Sequence, residues 1–315
     1  MKSFIRIRIY IKKIVLNLSN NKKPKISIGL PVYNGEKFIR NSVDSILSQT
    51  FREFELIISD NASTDLTPKI CQEYALRDKR VSYIRQSSNM GPYWNFNFVL
   101  KQSNSEYFVW AASDDIWHSE FLQKNVDILE NNKDIVCSIG DVTYSDVINY
   151  EFKSKNKTEI DSKFKYVKPA YGTYEIKVRT YLKFFQASII YGLYRREKLQ
   201  KSMTMNMIFM GSDLTVILNV LKYGDLHVID ENLLHRYGKG SHSIIETMLK
   251  LNVSPIKIIF LELPFTIWCL KNIGLKICIK NFDLFIKLNW RGGLTIISET
   301  IRIIKRIIFR QSMFW

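Results

Sequence analysis

The stretch ISIGLPVYNGEKFIRNSVDSILSQTFREFELIISDNASTD (26–65) decides the fold. It opens within an apolar β run, KISIGLPVYN (25–34), that ends in turn residues. Over 36–49, Phe38, Ile39, Val43, Ile46 and Leu47 recur at helical spacing and predict a helix with one apolar side. FELIISD (54–60) is a second apolar strand. Asn61, Ser63 and Thr64 then offer a helix cap. Pro68 suits a first helical turn, where its missing N–H is not needed. A strand, a helix and a strand in succession predict a parallel pair, because a parallel return needs a crossover.

The same alternation continues outward. RVSYIRQ (80–86), EYFVWAAS (106–113) and DIVCSIGDVTY (134–144) read as further strands. Helices are expected near 92–102 and from a Ser119 cap through Leu129. The class is therefore α/β, a mainly parallel sheet with helices on both faces. Ligands in such sheets bind beyond the carboxyl ends of the strands. That draws attention to Tyr33–Asn34, Asp60–Asn61 and Asp114–Asp115. Residues 145–170 are polar and lysine-rich and are expected to form a surface excursion. Residues 171–240 return to mixed structure, and 254–315 are expected to form a separate helical tail.

Five constellations could carry chemistry. In PVYNGE (31–36), Pro31 fixes the backbone as the strand ends, and Tyr33 and Asn34 present a flat face and an amide. A plain turn explains the segment as well. In SDNASTD (59–65), a helix cap accounts for Ser63, Thr64 and Asp65, but less readily for Asp60 at the strand tip. Asp114–Asp115 follow an apolar strand; adjacent carboxylates repel, and a divalent cation removes that cost. The alternative is a solvated turn. GSD (211–213) precedes an apolar helix and could be only its N-cap. HRYGKGSHS (235–243) reads as a flexible loop able to reach an anion or a metal.

Together and in this order, these segments resemble the family 2 glycosyltransferases, whose catalytic domain has the GT-A fold. The resemblance covers about residues 25–245. It rests on 26–65, on NMGPYWNFN (89–97) and on Asp114–Asp115 at the place of the family's acidic metal motif. It implies a nucleotide-sugar donor, with UDP as the expected nucleotide. Asp60 would accept from the nucleobase edge, with Pro31 and Tyr33 lining that pocket. Asn34, Glu36, Asp65, Asn89 and Asn97 join the implied donor site, with Asp114 toward the ribose. Asp115 would bind Mg²⁺ or Mn²⁺, with His242 a further metal candidate. Arg236 would reach the diphosphate, and Asp213 would act as base in a single inverting displacement. Ser113 stands where the family often has a first acid, and Ser212–Asp213 replaces a common Glu-Asp pair. The acceptor implied is a glycan or lipid-linked glycan in cell-surface polysaccharide synthesis. The alternatives are a polyprenyl-phosphate sugar transferase, whose acceptor needs no base, and a non-catalytic nucleotide-sugar-binding protein.

Charge locates a further partner. The 315 residues carry a net +16. Residues 1–25 hold eight basic residues and no acid, and 254–315 hold ten basic residues against three acids. The body between them is nearly neutral. At both ends the basic residues alternate with Ile, Leu, Phe and Trp, as in FIRIRIYIKKIVLNL (4–18) and TIRIIKRIIFR (300–310). That interleaving argues for an anionic membrane surface and against nucleic acid. The division expected is 1–24 basic amphipathic segment, 25–245 GT-A domain and 246–315 membrane-associating tail, with an amphipathic helix over 294–310; the alternative is a tail packed on the catalytic body. Its longest apolar run, 258–270, is too short and too interrupted to span a bilayer. Cys71, Cys137, Cys269 and Cys278 form no CxxC pair, and no secretory signal is visible. The expected location is the cytoplasmic face of the membrane, so the sequons at Asn61, Asn156 and Asn252 should stay unmodified.

Overall fold

A computed structural model describes residues 23–145, 167–184, 187–203, 212–237, 262–290 and 292–294, together with 298 and 301. The five expected strands form as β1 Ile26–Val32, β2 Phe54–Asp60, β3 Val81–Arg85, β4 Tyr107–Trp110 and, later in the chain, β6 Ile135–Ser145. Three more join them: β5 Ile116–Trp117, β7 Leu193–Arg195 and β8 Asp225–Tyr237. The sheet order is β3-β2-β1-β4-β7-β6-β8-β5. Pairing is parallel across β3, β2, β1 and β4 and again between β6 and β8. β7 runs antiparallel to both β4 and β6, and β5 antiparallel to β8. All strands but β5 and β7 therefore share one direction, and their carboxyl ends lie along one edge.

The helices are α1 Ile39–Leu47, α2 Thr67–Arg77, α3 Pro92–Gln102, α4 Phe121–Asn131, α5 Tyr174–Phe184, α6 Arg196–Ser202 and α7 Ser212–Val220. Every residue of β1 is buried, as expected of a central strand covered on both faces. Gly29 permits the close approach of α3. A Cβ there would sit 2.6 Å from Val99 Cγ2 and 2.7 Å from the Phe108 ring. Gly91 stands at the N-cap of α3 with φ 85°, a backbone that side chains disfavour.

Two helix starts differ from expectation. α2 has Leu66 at its N-cap, and Asp65 Oδ1 accepts the Thr67 N–H at 2.9 Å; Pro68 lies in the first turn as expected. α4 begins after Glu120 rather than after a Ser119 cap. Ser119 is drawn off by Thr50, whose N–H donates to its carbonyl at 2.8 Å, and His118 Nδ1 accepts the Glu120 N–H.

The described part of the carboxyl-terminal tail packs on the body. α8 Leu263–Asn272 buries Phe265, Trp268 and Cys269, and packs on α7. Lys222 Nζ donates to the Asn272 carbonyl at 3.1 Å, and Asp283 pairs with Arg179 at 3.3 Å. The apolar surface of this segment is larger than a solvated linker tolerates, so it docks. Residues 1–22, most of the 145–170 excursion, 246–261 and most of the 294–310 helix lie outside the described residues. Among the described residues no helix is long and apolar enough to cross a membrane.

Candidate active site

The turn after β1 and the loop after β2 are locked together. Asn34 stands at φ 50°. Its N–H donates to Ser63 Oγ at 2.9 Å, and its side-chain oxygen accepts the Thr64 N–H at 2.9 Å. The Gly35 N–H donates to Thr67 Oγ1 at 2.8 Å. Two carboxylates bridge the turns: Asp65 Oδ2 accepts the Glu36 N–H at 3.1 Å, and Glu36 Oε2 accepts the Leu66 N–H at 2.8 Å. Burial works to raise the Asp65 carboxyl, but the donors of Thr67 and Glu36 outweigh it and hold it low. Asn34, Glu36 and Asp65 thus build the rim of the site through bonds within the protein. Pro31 is buried below them, and Tyr33 is 48% exposed at the mouth.

Asp60 closes the floor of this rim. It is fully buried; Oδ1 accepts the Ser63 N–H at 2.8 Å, and Tyr83 Oη donates to Oδ2 at 2.8 Å. Arg85 Nε stands 3.9 Å from Oδ2. Next to it, buried Asn61 donates to Asn89 Oδ1 at 2.8 Å and accepts the Met90 N–H at 2.9 Å. That ties the entry of α3 to the tip of β2. Asn97 is half-buried on α3, whereas Asn95 faces inward and donates to the Ser59 carbonyl at 2.8 Å.

Strand pairing assembles the acidic centre. β5 pairs with β8 so that Ile116 faces His235. One step along that register sets Asp115 opposite Arg236. Arg236 Nε lies 3.4 Å from Oδ1 and 3.3 Å from Oδ2 of Asp115. Its guanidinium lies 4.5 Å from the Tyr191 ring centre and 5.8 Å from that of Tyr144. Asp115 is 1% exposed. Burial pushes its carboxyl up to about 7, with Arg236 opposing and Asp114 adding to the rise. Burial works to lower Arg236, but Asp115 holds it firmly protonated. The expected flexible loop at 235–243 is therefore strand up to Tyr237. His235 is a buried core residue, its Nδ1 2.9 Å from Thr143 Oγ1, and burial lowers it to about 4. His242 lies outside the described residues.

Asp213 sits in the first turn of α7, as the GSD pattern predicts. Its Oδ1 accepts the Leu214 N–H at 3.0 Å. Burial raises its carboxyl, and backbone donors and Arg236 pull it back. Among the described residues, two buried polar atoms without a hydrogen-bond partner belong to groups that feel the Asp213 charge: Tyr181 Oη and Glu262 Oε2. Burial, then Asp213, pushes the Glu262 carboxyl up to about 7.

The profile described as glycosyl transferase family 2 matches residues 27–202, more than half of the chain. The chain belongs to glycosyl transferase family 2. The family 2 region also aligns with TuaG of Bacillus subtilis, a protein assigned to teichuronic acid biosynthesis. The two are 33% identical over 125 residues, 40% of this chain and 48% of TuaG. The chain spans about half or less of the length of the first curated relatives it matches. Among solved structures, Staphylococcus aureus TarS 1–349 in complex with UDP-GlcNAc superposes with TM-score 0.53 and 21% identity, over 69% of this chain and 60% of that one. The mannosyltransferase PcManGT from Pyrobaculum calidifontis, in complex with GDP-Man and Mn²⁺, superposes with TM-score 0.55 and 12% identity, over 89% and 74%. These likenesses establish the GT-A fold for the family 2 chain.

Sequence reasoning missed Glu262, Tyr181 and Tyr191 as members of this centre. Glu262 carried one signal, an acid inside the apolar run 258–270. The two tyrosines carried none, because only the fold brings them to Asp213 and Arg236.

Proposed function

We propose that this chain is an inverting glycosyltransferase. It moves a sugar from a nucleotide-sugar donor, a UDP-sugar, to a hydroxyl of a glycan or lipid-linked glycan in cell-surface polysaccharide synthesis. The observation that carries the reading is the Asp115–Arg236 pair beyond the end of β4 in a family 2 sheet, with the buried carboxylate of Asp213 in the first turn of α7. The TuaG, TarS and PcManGT likenesses support a nucleotide-sugar donor and a polysaccharide product.

The chain's own groups divide the work. Tyr33 offers a ring face at the mouth, and Asp60, at the tip of β2, would accept from the nucleobase edge. Arg236 brings positive charge to the diphosphate end. Asp213 takes the proton of the attacking hydroxyl; burial raises its carboxyl and so makes it a stronger base than a solvated aspartate. Asp114 and Asp115 fit a divalent cation by their chemistry. They are adjacent hard-oxygen donors, and buried Asp115 gains from any positive neighbour. Among the described residues no cluster of three such ligands occurs, so the donor's diphosphate would complete the shell. Mg²⁺ or Mn²⁺, when bound there, neutralises charge on the leaving group. The proposed location is the cytoplasmic face of the membrane. Four free, buried cysteines support it, and Asn61, 2% exposed, offers no room for a glycan.

The test is a panel of nucleotide sugars with Mg²⁺, Mn²⁺ or EDTA, run on the wild type and on Asp213→Asn. Transfer to a hydroxyl acceptor should need the cation and should fall by about 100-fold or more in the variant. UDP affinity should stay within about twofold of wild type. Full transfer by Asp213→Asn to a polyprenyl phosphate would assign the acceptor to that class instead. Full activity in EDTA would remove the cation.

A further inference from the structure

Residues 275–290 run as α9 Leu275–Lys280 and, after a turn at Asn281, as a helical stretch over 282–290. Cys278, Asn281, Phe285 and Leu288 recur at spacings of three and four and are buried against the body. A second set recurs at the same period on another side. Leu275, Ile279, Phe282, Ile286 and Trp290 are 63%, 64%, 64%, 53% and 70% exposed. One apolar face suffices to dock a helix on a domain, so the second has no role in that packing. Ile267 and Leu270 on α8 widen the exposed surface. An open apolar groove of about 610 Å³, lined by Leu270, Phe282 and Trp290 among others, runs along it.

Charge marks what this face meets. Lys276, Lys280 and Lys287 stand exposed on the adjoining side of the helix. Lys280 is held by Glu175 at 2.7 Å and Asp283 by Arg179 at 3.3 Å. Lys276 and Lys287 form no ion pair among the described residues. An apolar stripe bordered by lysines is the pattern of a helix lying in a lipid interface. Trp290 ends the stripe, where an amphipathic ring suits the headgroup level. The chain beyond it carries Arg291, Arg302, Lys305, Arg306 and Arg310 against Glu299 alone. A two-fold contact between copies would set this basic border against itself.

We propose that the exposed face of residues 275–290, with Lys276 and Lys287, docks peripherally on an anionic lipid bilayer. The inference is independent of the reaction proposed above. The test is flotation of the full chain with vesicles of phosphatidylglycerol and phosphatidylcholine, against phosphatidylcholine alone. The wild type should float with the anionic vesicles and at least ~10-fold less with the neutral ones. Phe282→Glu with Ile286→Glu, and separately Lys276→Glu with Lys287→Glu, should each weaken flotation by ~10-fold or more. Circular dichroism and thermal midpoint should stay at wild-type values, because all four side chains face water. As a second readout, the emission difference between wild type and Trp290→Phe should move to the blue when anionic vesicles are added. A wild type that stays behind, flotation untouched by the Phe282/Ile286 pair, or an unshifted Trp290 emission overturns the proposal. So does light scattering that shows a dimer dissolved by Phe282→Glu, which would assign the face to a second copy.

Discussion

Arg236 and Glu262 place opposite stresses on the acidic centre. Arg236 is the counter-charge of a carboxylate that water does not reach. Arg236→Gln leaves Asp115 buried and unpaired, and should cost ~3–5 kcal/mol, read as a fall in thermal midpoint. If the same carboxylate holds the cation, added Mn²⁺ should recover part of that loss in the variant and change the wild type little. A variant indifferent to Mn²⁺ would take Asp115 out of the metal site. Glu262 is an acid held in an apolar place, its carboxyl pushed from 4.5 to about 7 by burial and then by Asp213. The folded chain keeps a proton there that the unfolded chain gives up above pH 4.5. Stability contributed by this residue is therefore present below pH 4.5 and is lost as pH rises toward 7. Glu262→Gln should nearly match the wild type at pH 4.5 and exceed it by ~3 kcal/mol at pH 8. Urea unfolding at both pH values measures this; a wild type that is the more stable at pH 8 would contradict it.

At the scale of elements, the rim is one unit made by two turns. Asp65 serves the Glu36 N–H from one oxygen and the Thr67 N–H from the other. Asp65→Ala strands both donors and should cost ~1–2 kcal/mol in urea unfolding, with Asp65→Asn costing less. An unchanged midpoint would show that the rim stands without this bridge. Asp60 belongs to the same unit: it anchors Ser63 and Tyr83, so Asp60→Ala should disturb the rim itself. The turn chemistry of 61–65 was legible as polar and cap-forming. Its partner across the gap, Asn34 to Glu36, was not, because the bonds join residues about 30 positions apart.

The whole molecule depends on its carboxyl segment. α8 closes over α7 with Phe265 and Trp268, and it delivers Glu262 beside Asp213. A chain ended at residue 261 should lose several kcal/mol of apolar burial. It should show a lowered thermal midpoint or precipitate, rather than act as a trimmed soluble enzyme. A truncated chain with the wild-type midpoint would restore the reading of a separate tail.

The sequence by itself determined the α/β class, the strands β1 to β4 and β6, the family and the positions of Asp60, Asp115 and Asp213 at the ends of apolar elements. Those are local facts: apolar periodicity and turn residues act over a few positions, and residues at strand tips reach the ligand edge in any sheet of this kind. Only the tertiary structure decided that β7 runs antiparallel between β4 and β6, and that β8 brings Arg236 to Asp115. It also decided that residues 262–290 belong to the body. Pairing across 121 positions and burial of one helix by another are set by the best joint use of apolar surface and hydrogen bonds. No short window of the chain contains both partners.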